Sequence, residues 1–319
     1  MRRLVFALLL AMMSSLQAAQ DGSAEEWLQR MGIAASALSY QGTLVYSHDG
    51  ELVTFRLTHV RDGDHEWEHL VQLDGQANEV LRGGSDLIYK SAAGASTRLQ
   101  IQPAASLRPD TSSAALARSR ESYRFALKAG ERIAGRDAVQ VLVTPLQPDR
   151  YGHVFFLERS SGLLLRSLLL DADGSVLETL GFSSLTVDPD VGRAEYLGAR
   201  RASKAGAIPA AAASAALAAR WRLQAPAGFV AEPEGWRARQ MNGARVEVVT
   251  YGDGLSSFSV FSEPLVGKMP RTGQSRRGAT RMASRVLGEG PERWLLTVVG
   301  ELPMTTVQRI ADSIVPLRQ

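Results

Sequence analysis

Five residues in a row carry the one motif in this chain that names a reaction. His65-Glu66-Trp67-Glu68-His69 satisfies H-E-x-x-H, the pattern in which two histidines hold zinc and the glutamate acts as a base. That chemistry requires a helix, where positions i and i+4 lie one turn apart and can share a tetrahedral ion. The flanks here are strand-and-turn punctuation, Asp62-Gly63-Asp64 before the motif and Leu70 to Gly75 after it. On a strand the two histidines point the same way but sit roughly 13 Å apart, beyond the reach of one metal ion. The motif is therefore expected to form part of a partly exposed strand face, and no metal is expected. The remaining histidines, His48, His59 and His153, show no triad spacing. G-x-S-x-G, Walker A and G-x-G-x-x-G segments are missing, and cysteine is absent altogether. No catalytic residue and no cofactor are expected.

Two other sets of residues suit binding. Lys268, Arg271, Arg276, Arg277, Arg281 and Arg285 fall within 18 residues that hold no acid. Such a cluster suits phosphate groups or an acidic peptide, although a solvated loop and strand face explains it about as well. Leu44, Tyr46, Phe55, Leu57, Trp67 and Val71 alternate along adjacent expected strands. They are read either as a lipid-binding concavity or as packing beneath a helix.

These residues need elements to position them. Of 319 residues, the first 19 read as an export signal: Arg2 and Arg3, an apolar run from Leu4 to Met13, and a small-residue cleavage zone ending at Ala18 or Ala19. No later apolar stretch approaches the length of a membrane span. Removing the signal deletes two arginines and leaves 34 basic against 33 acidic side chains. Bulk charge therefore excludes a nucleic-acid binder. The halves differ: residues 21–220 carry 21 basic and 24 acidic groups, residues 221–319 carry 13 and 9. Between them, 198–220 is largely alanine and reads as a linker. The expected division is a signal (1–19), a large domain (20–197), the linker (198–220) and a small domain (221–319).

The large domain opens with a helix pattern, Trp27, Met31, Ala34 and Leu38 after a capping box of Ser23 and Glu26. Strand signals follow at Tyr40–Tyr46, Leu52–Val60, His65–Leu73, Asn78–Leu81 and Asp86–Lys90. Others run through Tyr123–Ala129, Ala138–Thr144, His153–Glu158, Leu163–Asp171 and Ser175–Phe182, with Asp-Gly and Ser-Gly turns between several. Leu163–Leu170 is apolar on both alternation faces, with Leu163, Leu165 and Leu169 on one and Leu164, Leu168 and Leu170 on the other. The small domain has strand signals at Arg245–Tyr251, Leu255–Glu263, Thr280–Leu287 and Arg293–Val299, then a helix pattern from Pro303 to Ile314. The fold class is α+β: a curved antiparallel sheet with helices on one face, followed by a smaller α+β domain.

A collinear series of segments resembles the MucB/RseB family. It comprises Tyr40–Tyr46, Leu70–Gly75, Asp149-Arg150-Tyr151-Gly152, Ser161–Ser167, Tyr251–Leu255, Phe258–Phe261, Thr297–Glu301 and Arg309–Ala311. The resemblance runs from about residue 25 to 316. It implies a LolA/LolB-like half-barrel capped by helices, joined through a linker to a smaller domain. It implies a periplasmic location and a non-enzymatic role. The implied partner is the periplasmic part of an RseA- or MucA-like anti-sigma factor, shielded from site-one proteolysis so that a sigma-E-type factor stays restrained. Lipid or lipopolysaccharide would release it. A LolA-like carrier of lipid or lipoprotein is the alternative, and a homo-oligomer stays open.

Overall fold

The computed structural model describes residues 22–83, 86–93, 96–100, 111–189, 217, 219–233, 235–241, 244–265, 272–290 and 292–317. The signal segment lies outside them, as does the alanine-rich stretch but for Leu217, Ala219 and Arg220.

Helix α1 (Ala24–Ala37) starts where the capping box places it. The Ser23 hydroxyl accepts the Glu26 N–H at 3.1 Å and the Glu26 carboxylate accepts the Ser23 N–H at 3.0 Å, satisfying two donors the first turn leaves over. Eleven strands follow: β1 (Tyr40–His48), β2 (Glu51–Asp62), β3 (His65–Gln72), β4 (Glu79–Gly83), β5 (Asp86–Lys90), β6 (Ser96–Gln100), β7 (Tyr123–Ile133), β8 (Arg136–Pro145), β9 (Gly152–Glu158), β10 (Leu164–Leu170) and β11 (Val176–Val187). They form one antiparallel sheet in the order β6-β5-β4-β3-β2-β1-β11-β10-β9-β8-β7. Strands β6 and β7 are successive in the chain but occupy opposite edges, so the sheet stays open. The segment between them carries the short helix α2 (Ser113–Ser119).

One helix organises this sheet. Trp27, Leu28 and Met31 pack with Val139, Val141, Val143, Phe155 and Leu157, while Ala34 packs with Tyr40, Leu44, Leu57, Leu163 and Phe182. Strands from both halves therefore reach α1, and the sheet has to curve about it. Two-residue turns with positive φ at both positions join β1 to β2 (Asp49 47°, Gly50 79°) and β7 to β8 (Ala134 50°, Gly135 78°). Strand β10 departs from simple alternation. The register shifts between Leu164 and Arg166, so Leu165 joins the cluster of Leu168 and Leu170 while Leu164 packs in the α1 cluster. A bulge inserts one residue and inverts the side-chain phase beyond it, which corrects the grouping of Leu165 with Leu163 and Leu169.

The chain then forms β12 (Trp221–Arg222), β13 (Val230–Ala231), β14 (Arg237–Met241), β15 (Ala244–Gly252), β16 (Ser257–Pro264), β17 (Gly273–Arg277), β18 (Thr280–Leu287), β19 (Trp294–Gly300), helix α3 (Met304–Ser313) and β20 (Val315–Pro316). A second sheet runs β13-β15-β16-β19-β18-β17, with β14 also on β15, and β12 pairs with β20. Val307, Ile310 and Ala311 of α3 and its cap residue Ile314 bury against Ala283, Leu296 and Val298. Among the described residues no helix is long and apolar enough to cross a membrane.

Strand β9 buries His153 beside Phe155, the two rings stacked at 5.5 Å. Burial pulls its imidazole down to about 4 from 6.5. Below pH 6.5 the unfolded chain takes a proton that the folded one refuses, so stability is lost as pH falls from 6.5 towards 4. The loss expected from this group is about 3 kcal/mol. Urea melts at pH 7 and pH 4 should show it, and His153→Leu should remove that part of the slope.

Candidate functional site

The H-E-x-x-H segment lies on β3, where successive side chains alternate between faces. His65 and His69 share one face, Glu66 and Glu68 the other. Glu66 meets His59 Nε2 at 3.2 Å, Arg82 at 3.5 Å and Arg61 at 3.7 Å. Arg82 bonds Glu68 at 2.7 Å. On the opposite face His69 contacts Glu79 at 3.2 Å, and Lys90 reaches the same carboxylate at 3.4 Å. These cross-strand pairs hold β2 to β5 in register. Among the described residues no group of three metal-type ligands converges.

The apolar set divides. Leu44 pairs with Phe55, and Leu57 with Leu70, and all four pack in the cluster that receives Ala34 of α1. Tyr46 pairs with Val53, and its hydroxyl donates to Glu178 Oε2 at 2.7 Å. Burial, then the bond to Glu178, pushes this phenol well above its ordinary range, so it remains a donor. Trp67 pairs with Val60 and Val71 with Arg56, which places both on the other face of the sheet. Because Leu57 lies opposite Leu70, the odd-numbered residues of β3 point away from α1. The six residues therefore do not line one concavity.

The basic cluster divides too. Lys268 and Arg271 lie outside the described residues. Arg281 is buried and bonds the Gly278 carbonyl. Arg285 donates to the Ala311 and Asp312 carbonyls at 3.2 and 2.8 Å, serving the last turn of α3. Arg276 and Arg277 stand exposed on β17, the edge of the second sheet.

What the sequence reading missed is a polar junction between the two sheets. Arg150 in the β8–β9 connection and Asp253 in the β15–β16 turn are 2% and 1% exposed, and they bond at 2.7 Å. The same Asp253 Oδ2 accepts the Tyr123 hydroxyl at 3.0 Å, and Oδ1 accepts the Leu255 and Ser256 N–H groups at 2.9 and 2.7 Å. Ser119 at the end of α2 donates to the Asp253 carbonyl at 3.0 Å. Arg150 also bonds Asp149 at 2.8 Å and the Ala227 carbonyl at 2.7 Å, with its guanidinium 4.8 Å from the Phe229 ring centroid. Burial, then the Asp253 charge, holds the Tyr123 phenol protonated. Both charges are thus paired and hydrogen-bonded, the condition for burying them at all.

A second contact lies across the same end of the large sheet. The Gly278 N–H donates to Asp49 at 2.6 Å and the Ala279 N–H to Glu178, while Ala279 packs on Tyr151 and Leu169. Gly278 has φ of 57°, and a Cβ there would collide with the Glu178 carboxylate. Glycine meets both conditions without strain or displacement of that carboxylate.

Comparison with known proteins covers both sheets. A family model for the MucB/RseB N-terminal domain matches residues 23–200, and one for the MucB/RseB C-terminal domain matches 215–315. The chain is 34% identical over 320 residues to the sigma factor AlgU regulatory protein MucB of Pseudomonas aeruginosa, spanning 99% of this chain and 98% of that one. It is 26% identical over 321 residues to the sigma-E factor regulatory protein RseB of Escherichia coli, spanning 98% of each. Two solved structures align at a TM-score of 0.71. The Pseudomonas aeruginosa MucA/MucB complex is 31% identical and is covered over 99% of its chain, and MucB in complex with MucA(peri) is 32% identical and covered over 100%. Each match takes in 93% of this chain.

Breaking the Arg150–Asp253 pair from one side leaves a buried charge without its partner. Arg150→Ala or Asp253→Ala should therefore cost about 3–5 kcal/mol of stability. The Arg150→Ala/Asp253→Ala double variant should cost less than the sum of the two, with a coupling of at least about 1 kcal/mol in a denaturation cycle.

Proposed function

The chain belongs to the MucB/RseB family, and we propose that it acts in the periplasm by binding the exported segment of a MucA/RseA-like anti-sigma factor. Held in this way, the segment is shielded from site-one proteolysis, and a sigma-E-type factor stays restrained. The supporting observation is the likeness across both sheets to MucB solved together with MucA. The alternative of a LolA-like carrier has less support, because a carrier needs only the first sheet while the likeness extends through the second.

Release follows from linkage. A lipid or lipopolysaccharide fragment removes the partner only if it binds the partner-free form more tightly. The apolar cluster of Leu44, Phe55 and Leu57 beneath α1 offers hydrocarbon contacts for such an amphiphile. Arg276 and Arg277, exposed on β17, offer charge-assisted bonds to anionic groups.

Adding the purified protein to the anti-sigma exported segment should slow its cleavage by the site-one protease by roughly tenfold or more. Unchanged cleavage would remove the shielding role. In a separate binding measurement, Arg276→Glu/Arg277→Glu should weaken binding of lipopolysaccharide or of the anti-sigma segment severalfold. Equal affinity for both would discard those two arginines as an anion contact.

A further inference from the structure

Behind the polar junction, at the far end of the second sheet, Arg220, Arg245, Glu247, Pro264 and Trp294 line an open cleft of about 300 Å³. Its floor is fixed. Trp294 meets Trp221 edge to face at 6.0 Å, and the Trp221 indole N–H is anchored on buried Ser262 at 2.8 Å. The Arg220 guanidinium lies over the Trp294 ring, 4.6 Å from its centroid. Stacking in this way holds the plane of the fork and leaves its N–H edge to face a ligand. Arg220 reaches Glu247 only at 3.9 Å, too long for a hydrogen bond. Arg245 is exposed, and no carboxylate among the described residues pairs with it.

We propose that this cleft binds a carboxylate side chain of an acidic, extended polypeptide segment. A planar carboxylate matches the edge of a stacked guanidinium through two parallel bonds. The charge count favours one carboxylate over a phosphorylated lipid head group. Two arginines against Glu247 leave one net positive charge, which matches the single charge of one carboxylate side chain and falls short of a doubly charged phosphomonoester. The volume stands at the bottom of the roughly 300–1,000 Å³ range of small-molecule pockets. With only Pro264 and the stacked indole as apolar lining, it gives an acyl chain nothing to enter. This inference rests on the geometry of the second sheet and is independent of the anti-sigma reading above.

The test uses fluorescein-labelled hexaglutamate and anisotropy with the full exported chain at low ionic strength, where exposed charge contacts are strongest. Saturable binding is expected. Arg220→Gln and Arg245→Gln should each raise Kd by roughly tenfold, and Glu247→Gln should lower it, with thermal midpoints unchanged. Arg124→Gln/Lys128→Gln, exposed on β7 of the first sheet, should leave Kd as it is. The proposal is overturned if hexaglutamate does not bind, or if the cleft variants bind as the parent does. It is equally overturned if inorganic phosphate or phosphatidylglycerol vesicles displace the peptide with the same dependence on Arg220 and Arg245, since the site would then serve phosphate chemistry.

Discussion

A guanidinium and a carboxylate enclosed together at the meeting of two sheets leave the molecule few choices. Each charge costs several kcal/mol to take out of water, and neither tolerates the loss of the other. Arg150 and Asp253 meet that cost through further bonds to Tyr123, Asp149, the Ala227 carbonyl and the Leu255 and Ser256 amides. The pair therefore fixes which end of the second sheet faces the first. The contact of Gly278 and Ala279 with Asp49 and Glu178 sets the rotation about that point. With both in place, the turns of the two sheets interlock end to end. The α3 face, the β17 edge and the Trp294 cleft remain turned outward.

Local rules made much of the architecture legible. The Ser23–Glu26 box, the Asp49-Gly50 hairpin and the apolar stripe of α3 follow from neighbours a few residues apart, and each forms where those rules place it. The strand flanks of His65–His69 were enough to set aside a helical metal site. Features that depend on partners far along the chain were not legible. The bulge at Leu165 is set by pairing with β9, and the face of Trp67 by pairing with β2. The turn at Ala134-Gly135 hides because alanine seldom adopts positive φ. Strands of two residues, such as β12 and β20, carry no periodic pattern. The central ion pair joins residues 103 positions apart, and nothing in spacing or composition brings them together.

The segments that carried the family resemblance gain a physical meaning at this junction. Asp149-Arg150-Tyr151-Gly152 and Tyr251-Gly252-Asp253-Gly254 supply the two halves of the buried pair, and Tyr151 packs on Ala279. They act as docking elements and need no chemistry of bond breaking to explain them. Arg245, Arg276 and Arg277, by contrast, stand exposed and form no ion pair among the described residues. They are the groups proposed above to meet partners.

The central claim is that a surface composed by both sheets, held in one arrangement by Arg150 and Asp253, takes up the exported segment of an anti-sigma factor. Calorimetric titration of that segment into the intact chain and into its Arg150→Ala/Asp253→Ala variant tests it most directly. Saturable binding by the intact chain, with affinity roughly tenfold weaker in a variant that remains folded, is the result the claim requires. No binding by the intact chain, or equal affinity in the two proteins, contradicts it.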